Sequence, residues 1–425
     1  MKIKNNYFYG KWGRDLTVDG VLKQLKETLD PDKKYLIAED GARFMGKRVK
    51  EAILDDLSIC GVDVFETTKQ TLTPFAVREA VENNLCSVVV TAGSSPQSMM
   101  GFKMFDEKGN PHPKVGLEDF ETREKTKIKK IKQTQVDKLL SIKQRQKPKK
   151  ITIQTSNPVV EKIARKLFET HTIFPLGTSK NKPYKHRVDD VAKHVLSENC
   201  DLGFALDDSG ERFFLIDDKG FVWPGEWVQA FLYKAELEKR NGVIVCAVNT
   251  SNIFQKVVKE LNQKIVFTTT REKDLHNALK KTKGLMAVKR GNITIPFLHN
   301  TVPDALYCIV SLMNHLQKTS EPLSETRTSI SNKYGKGIKR TLILQLEKSE
   351  HVRLKNFFRE EPVMNLAGSP LVSVRDLQGI RTDYENGSWF WANTEEQSRI
   401  EVTMEAEKKS TLQQMEHDLL EQIKK

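Results

Sequence analysis

The chain has 425 residues, of which 38% are hydrophobic and 29% charged, an ordinary globular composition that excludes disorder and leaves room for roughly two to four domains. No run of about 18 apolar residues is present, the opening Met1–Asn6 lacks the apolar stretch of a secretory signal, and five cysteines (Cys60, Cys86, Cys200, Cys246, Cys308) stand singly; a cytoplasmic protein with reduced thiols and neither membrane span nor zinc is expected. The net charge is +13, and twelve Lys/Arg against two acids between Arg123 and Lys150 account for +10 of it.

In chain order, Tyr35-Leu36-Ile37-Ala38 reads as a short buried strand, Arg48 to Leu57 as a helix and Val62 to Phe65 as a second strand. Thr73-Pro74 opens another helix, with Pro in the first turn, and Ser87 to Thr91 is a third strand. The basic stretch 123–150 carries a broken apolar stripe (Ile128, Ile131, Val136, Leu139, Leu140, Ile142), and Pro148 ends it. With no interleaved aromatics and no binding motif it reads as a solvated helix and linker; nucleic-acid binding through its charge is the alternative reading.

The pattern then restarts at Lys150 to Gln154, with helices over 158–170 and 188–197 and strands at 203–206 and 213–216. It restarts again at Val243 to Val248, with a helix over 253–261 and a strand at 265–267. A fourth unit holds strands at 340–344, 387–391 and 399–404 and a final helix over 410–423. Continuous Val/Ile runs separated by helix-length segments indicate mostly parallel sheets with helices on their faces. The boundaries read 1–148, 149–238, 239–333 and 334–425: three tandem mixed-sheet α/β domains and a C-terminal α+β domain.

One loop in each unit invites chemistry. Val90-Thr91-Ala92-Gly93-Ser94-Ser95-Pro96, running on to Gly101-Phe102-Lys103, feeds a strand into a turn of small and hydroxyl residues, a common place for a phosphate or a nucleophile. Leu206-Asp207-Asp208-Ser209-Gly210-Glu211-Arg212 is an acidic turn. Ala287-Val288-Lys289-Arg290-Gly291 and Ala392-Asn393-Thr394-Glu395-Glu396-Gln397-Ser398 follow. In this order and spacing the four resemble the loops of the α-D-phosphohexomutases, the superfamily of phosphoglucomutase, phosphomannomutase and phosphoglucosamine mutase. Phe8-Tyr9-Gly10-Lys11-Trp12-Gly13-Arg14 and Gly41-Ala42-Arg43-Phe44 are similar to two further turns of that family. The resemblance implies the phosphohexomutase fold arranged around a central cleft.

The same resemblance implies that each loop has lost a necessary group. The first is similar to Thr-Ala-Ser-His-Asn-Pro, whose serine carries the exchanged phosphoryl group, but the nucleophile position holds Gly93 and the hydroxyl sits at Ser94. A one-residue shift moves that hydroxyl by about 3.5 Å, and in-line transfer is set by positioning. The second is similar to the Mg²⁺ loop Asp-x-Asp-x-Asp-Arg, with Asp207, Ser209 and Glu211 at the ligand positions and Asp208 as a potential substitute; a neutral hydroxyl and a longer acid imply weak or lost Mg²⁺ binding. Lys289 and Arg290 replace the Glu and Ser of a sugar-reading loop that continues to Asp304, turning acceptors into donors. Asn393 replaces the phosphate-gripping Arg, with Glu395 and Glu396 beside it. The expectation is a phosphohexomutase-like pseudoenzyme with a binding, regulatory or assembly role. It keeps a cleft for a phosphosugar or other anion lined by Lys11, Arg14, Arg43, Lys103, Arg212, Lys289 and Arg290, and a protein partner is plausible. The alternative is a divergent active mutase using Ser94 or Ser95.

Overall fold

Continuous β-branched runs become the buried centres of four separate sheets. The computed structural model describes residues 2–4, 7–93, 95–96, 98–111, 123–145, 147–175, 184–289, 292–296, 302–319, 321–360, 362–396 and 398–424. The first sheet contains β1 (Lys2–Lys4), β2 (Tyr7–Lys11), β3 (Tyr35–Glu39), β4 (Val64–Thr67), β5 (Cys86–Thr91), β6 (Met99–Phe105) and β7 (Lys129–Ile131), in the order β1-β2-β6-β5-β3-β4-β7. Helices α1 (Val18–Lys26), α2 (Gly46–Ile59), α3 (Thr73–Glu82) and α4 (Gln135–Ile142) connect or follow these strands. All six residues of β5 are buried, as a strand covered on both faces requires.

The basic stretch yields α4, as its apolar stripe predicts, but also β7, which pairs parallel with β4. The helix-and-linker reading missed β7 because an edge strand needs only backbone partners, and exposed lysines there deter further pairing. The charges of the basic stretch meet acids from earlier in the chain: Arg123 with Asp32 (2.8 Å), Lys129 with Asp63 (3.3 Å), Lys130 with Glu66 (3.8 Å), and Lys138 with Glu82.

The second sheet is β8 (Lys150–Gln154), β9 (Thr172–Pro175), β10 (Leu202–Leu206) and β11 (Phe213–Asp217), ordered β11-β10-β8-β9, with α5 (Pro158–Leu167) and α6 (Tyr184–Ser197). The third is β12 (Ile244–Ala247), β13 (Ile265–Thr268), β14 (Met286–Lys289) and β15 (Asn292–Thr294), ordered β13-β12-β14-β15, with α7 (Gly225–Leu237), α8 (Asn252–Glu260) and α9 (Glu272–Lys281). After it come α10 (Ala305–Leu316) and α11 (Leu323–Tyr334). The fourth sheet has six strands ordered β16-β21-β20-β19-β18-β17: β16 (Ile338–Gln345), β17 (Asn365–Leu366), β18 (Ser369–Asp376), β19 (Ile380–Tyr384), β20 (Trp389–Asn393) and β21 (Arg399–Ala406). One face packs on α12 (Lys348–Glu360) and α13 (Lys409–Lys424) through Leu354, Phe358, Phe390, Val402, Met415 and Leu419.

The chain forms two compact units, one of residues 1–223 and 293–325, the other of residues 224–292 and 326–425. No helix among the described residues is long and apolar enough to cross a membrane.

Candidate functional site

The first unit brings the turn after β5 beside the turn after β10. Gly101 sets the register of the strand that returns from the first turn. A Cβ at Gly101 would lie 2.0 Å from the Phe8 carbonyl oxygen, so β6 reaches β2 this closely only with glycine there. The resulting pairing sets Lys103 opposite Tyr7, with its ammonium 5.6 Å from the Tyr7 ring centroid. Gly93 adopts φ +53°, a left-handed conformation that suits glycine, and its N–H donates to Thr91 Oγ1 (3.0 Å). A Cβ at position 93 would point at the second turn, 3.9 Å from Ser209 Oγ.

The second turn is clamped by its neighbours. The N–H groups of Thr73 and Ala305, at the N-termini of α3 and α10, donate to the carbonyls of Ser209 (3.3 Å) and Gly210 (2.9 Å). Arg43 joins the two turns: it donates to Asp208 Oδ2 (2.9 Å), to the Ser95 carbonyl (2.8 Å) and to the Met99 carbonyl (3.1 Å). Asp208 also receives Arg187 (2.9 Å) and the Ser156 hydroxyl. Burial alone would raise the Asp208 carboxyl, but Arg187, Ser156 and Arg43 together hold it below the ordinary range.

Whether a divalent cation fits depends on which oxygens are free. Asp207 Oδ1 accepts the N–H groups of Glu211 (2.9 Å) and Arg212 (3.2 Å), and Oδ2 faces the Ser209 hydroxyl (3.1 Å). That hydroxyl also lies 2.7 Å from Glu211 Oε2, the oxygen that takes the Lys103 ammonium in a short ion pair. One hydroxyl proton serves two carboxylates, and burial with Glu211 nearby pushes Asp207 up to about 6. Among the described residues no three His, Cys, Asp or Glu side chains converge as a ligand set. Mg²⁺ needs near-octahedral oxygen ligation at about 2.0–2.1 Å, and this arrangement does not fit it.

The other sequence-predicted residues have varied fates. Arg43 is buried and engaged by protein atoms, so the expectation that it lines an open anion site is corrected: its side chain fastens the two turns together. Asp208, considered as a substitute metal ligand, is taken by two guanidinium groups. Lys11 is exposed, Arg14 is exposed beside Asp15 (2.9 Å), and Arg212 is exposed. Ser95 is half-buried with its N–H on the Ala92 carbonyl (3.0 Å). Asp304, placed by the resemblance in the sugar loop, caps α10 through the Tyr307 N–H (2.9 Å) and pairs with the fully buried Arg78. Ser94, Arg290 and Gly291 lie outside the described residues.

In the second unit, Lys289 ends β14 half-buried. Glu395 pairs with Arg271 (2.7 Å) and Glu396 with Arg399 (3.0 Å), so the acids expected to repel a phosphate carry their own counter-charges. Trp389 and Trp391 pack together with Val248.

Sequence reasoning missed Asp40 and Asn157. The Asn157 amide donates to the carbonyls of Asp40 (2.7 Å) and Asp208 (2.6 Å), while its oxygen caps α5 by accepting from Val159 N–H (2.8 Å). Asn-Pro before an apolar run signals such a cap, but not the longer reach. Burial pushes the Asp40 carboxyl up to about 7, against the lowering pull of Thr91, the Ala42 N–H and Arg43.

Comparison with known proteins bears on the whole chain. Residues 16–130 match the family described as phosphoglucomutase/phosphomannomutase, alpha/beta/alpha domain I, and residues 224–334 match domain III of the same description. The phosphoglucosamine mutase of Bacillus subtilis (strain 168) is 29% identical over 138 residues, 32% of this chain and 31% of that protein, so this match spans about a third of the relative. That of Lacticaseibacillus casei (strain BL23) is 20% identical over 348 residues, covering 73% of this chain and 75% of the relative. A phosphoglucomutase/phosphomannomutase family protein from Burkholderia thailandensis superposes with a TM-score of 0.81 at 18% identity, covering 98% of this chain and 96% of its own. An Aspergillus fumigatus N-acetylphosphoglucosamine mutase, solved with GlcNAc-6P and magnesium, has a TM-score of 0.55 at 13% identity over 94% of this chain and 84% of its own. At these identities the structural likeness is one of fold.

Proposed function

We propose, from the premise that this chain belongs to the α-D-phosphohexomutase superfamily, that it keeps the scaffold to bind a phosphosugar or related anion and does not transfer phosphoryl groups. The four-domain partition at 148, 238 and 333 is part of this reading. The observation that carries it is Gly93. A side chain at that position would face the 207–211 turn, and this chain has none there. Phosphoryl transfer is almost entirely positioning and charge stabilisation, so a hydroxyl displaced to a neighbouring residue does not take over the role. The proposed anion-binding groups are Lys11, Arg14 and Arg212 in the first unit and Lys289 and Arg290 in the second, while Arg43 and Lys103 are engaged by protein carboxylates.

The test is an assay of phosphoglucose, phosphomannose and phosphoglucosamine interconversion with Mg²⁺ and a bisphosphate activator, alongside calorimetric titration of the same sugars. Saturable binding without turnover, and no stable phosphate on peptide 91–103 by intact mass, is expected. Turnover abolished by Ser94→Ala would overturn the reading in favour of an active mutase.

A further inference from the structure

We infer that Lys103 is the built-in counter-ion of the 207–211 turn, its ammonium supplying the positive charge there and making the turn independent of divalent metal. The inference concerns the charge balance of the turn and stands whether or not the protein turns over a substrate.

Three observations lead to it. The Gly101 close approach fixes the register that sets Lys103 opposite Tyr7. From there its Nζ forms the short pair with Glu211 Oε2, and the two side chains are only 15% and 11% exposed, so the pair is largely desolvated. A charge pair so placed is retained only when its members satisfy each other, because removing one leaves the other buried and uncompensated. Second, with Asp208 taken by Arg43 and Arg187, the turn's two remaining carboxylates, Asp207 and Glu211, share a single ammonium. Ser209 is neutral, and its hydroxyl lies between Asp207 and Glu211, so one proton donor and one ammonium serve the two carboxylates. A divalent ion added beside the Lys103 ammonium would set three positive charges against these two carboxylates, so it could enter only by displacing Lys103. Third, entry of a metal would require stripping the Glu211 and Arg212 N–H groups from Asp207 and pulling Lys103 off Glu211, at a place where Asp207 is 1% and Ser209 0% exposed. Mg²⁺ dehydrates reluctantly and usually keeps several waters, which this enclosure does not accommodate.

The test uses the full chain. Calorimetric titration of the wild type with Mn²⁺, a spectroscopically visible substitute for Mg²⁺, is expected to show no specific site, and the melting temperature is expected to be the same in EDTA and in millimolar Mg²⁺. Lys103→Met is expected to melt several degrees lower in EDTA. Lys103→Met combined with Ser209→Asp restores a third carboxylate without the ammonium and is expected to gain one Mn²⁺ site at least about tenfold tighter than any in the wild type. A single stoichiometric Mn²⁺ site in the wild type overturns the inference. So does a Lys103→Met variant that melts like the wild type in EDTA. The wild-type titration decides the matter even if the variants do not fold, and it makes no use of mutase activity, so it fails or succeeds separately from the proposed function.

Discussion

Each unit holds a cluster of buried charge, and the two are balanced in opposite directions. In the second unit Arg381 is fully buried, and its guanidinium donates to the carbonyls of Val248 (2.8 Å) and Thr250 (2.6 Å), to Asn252 Oδ1 (2.6 Å) and to Asp383 Oδ1 (2.8 Å), lying 4.0 Å from the Trp389 ring centroid. Burial would raise Asp383, but Arg381 and Arg375 outweigh it and hold the carboxyl below the ordinary range. In the first unit Arg43 and Arg187 converge on Asp208, whereas at Asp40 and Asp207 burial outweighs the pull of Arg43 and of Arg212 and pushes the carboxyls up to about 7 and about 6. Where a planar fork reaches a carboxylate, the acid stays charged and serves as structure. Where burial outweighs the nearby cations, the carboxyl holds a proton instead. The turns after β5 and β10 therefore form the pH-sensitive cluster, and the Arg381 cluster the rigid one.

The sharpest way to break this comparison is Arg381→Met. It leaves the buried Asp383 with Arg375, Asn252 and Ser373 but without its guanidinium fork, and takes a donor from the carbonyls of Val248 and Thr250, so a loss of about 3–5 kcal/mol is expected, read as a fall of about 10 °C in the melting transition that includes the second unit. Arg43→Met should cost less, about 2–3 kcal/mol, because Arg187 and Ser156 still hold Asp208. Its signature is faster hydrogen exchange at amides 95–99 and 207–212, with amides of the second unit unchanged. Equal losses from the two variants would erase the distinction between the clusters.

The next prediction uses pH. Asp40 and Asp207 have folded-state values above the unfolded value of about 3.9, so the folded chain holds protons that the unfolded chain releases, and stability of the first unit falls as pH rises from about 4 towards 7. His171 acts in the other sense. Burial, helped by Lys143 and Lys149, pushes its imidazole down to about 4, and its Nδ1 accepts from the Lys149 N–H (3.1 Å). Its contribution therefore rises with pH between about 4 and 6.5. Two carboxyls against one imidazole leave a net fall, measurable by hydrogen exchange at several pH values after correction for intrinsic rates. Asp40→Asn should flatten the slope and His171→Gln should steepen it. Asp383, being depressed, weakens only below about pH 4, so the second unit should be flat across the same window. A second unit as pH-sensitive as the first would contradict the contrast.

What could be read from the sequence divides along the same line. Val88-Val89-Val90 and Ile244-Val245-Cys246 are buried strands because of their own composition, and the sequence pattern carries that locally. The departures at Gly93, Ser209 and Lys289 were equally visible, since they are single residues set in order along the chain. The partners were not. Arg43 and Asp208 are 165 residues apart, Lys103 and Glu211 108, Arg381 and Thr250 131, and nothing local says which acid a given base will meet. The partners of the +10 stretch were hidden for the same reason: four of its cations are matched by Asp32, Asp63, Glu66 and Glu82, which the fold brings in from earlier in the chain.

The smallest expected effect lies at the surface of the second unit and separates charge balance from structure. The Arg271–Glu395 pair is about half exposed (53% and 38%), so Glu395→Gln should change stability by no more than about 0.5 kcal/mol. On the proposed anion-binding reading it should still matter to a ligand, because Arg271 loses its counter-charge while Glu396 keeps Arg399. A phosphosugar should bind about threefold tighter at low ionic strength, and the gain should vanish in high salt, as screening of an exposed charge requires. A stability loss well above 1 kcal/mol would place this pair with the Arg381 cluster as structure. Tighter binding that salt leaves untouched would mean that Glu395 acts by shape and not by charge.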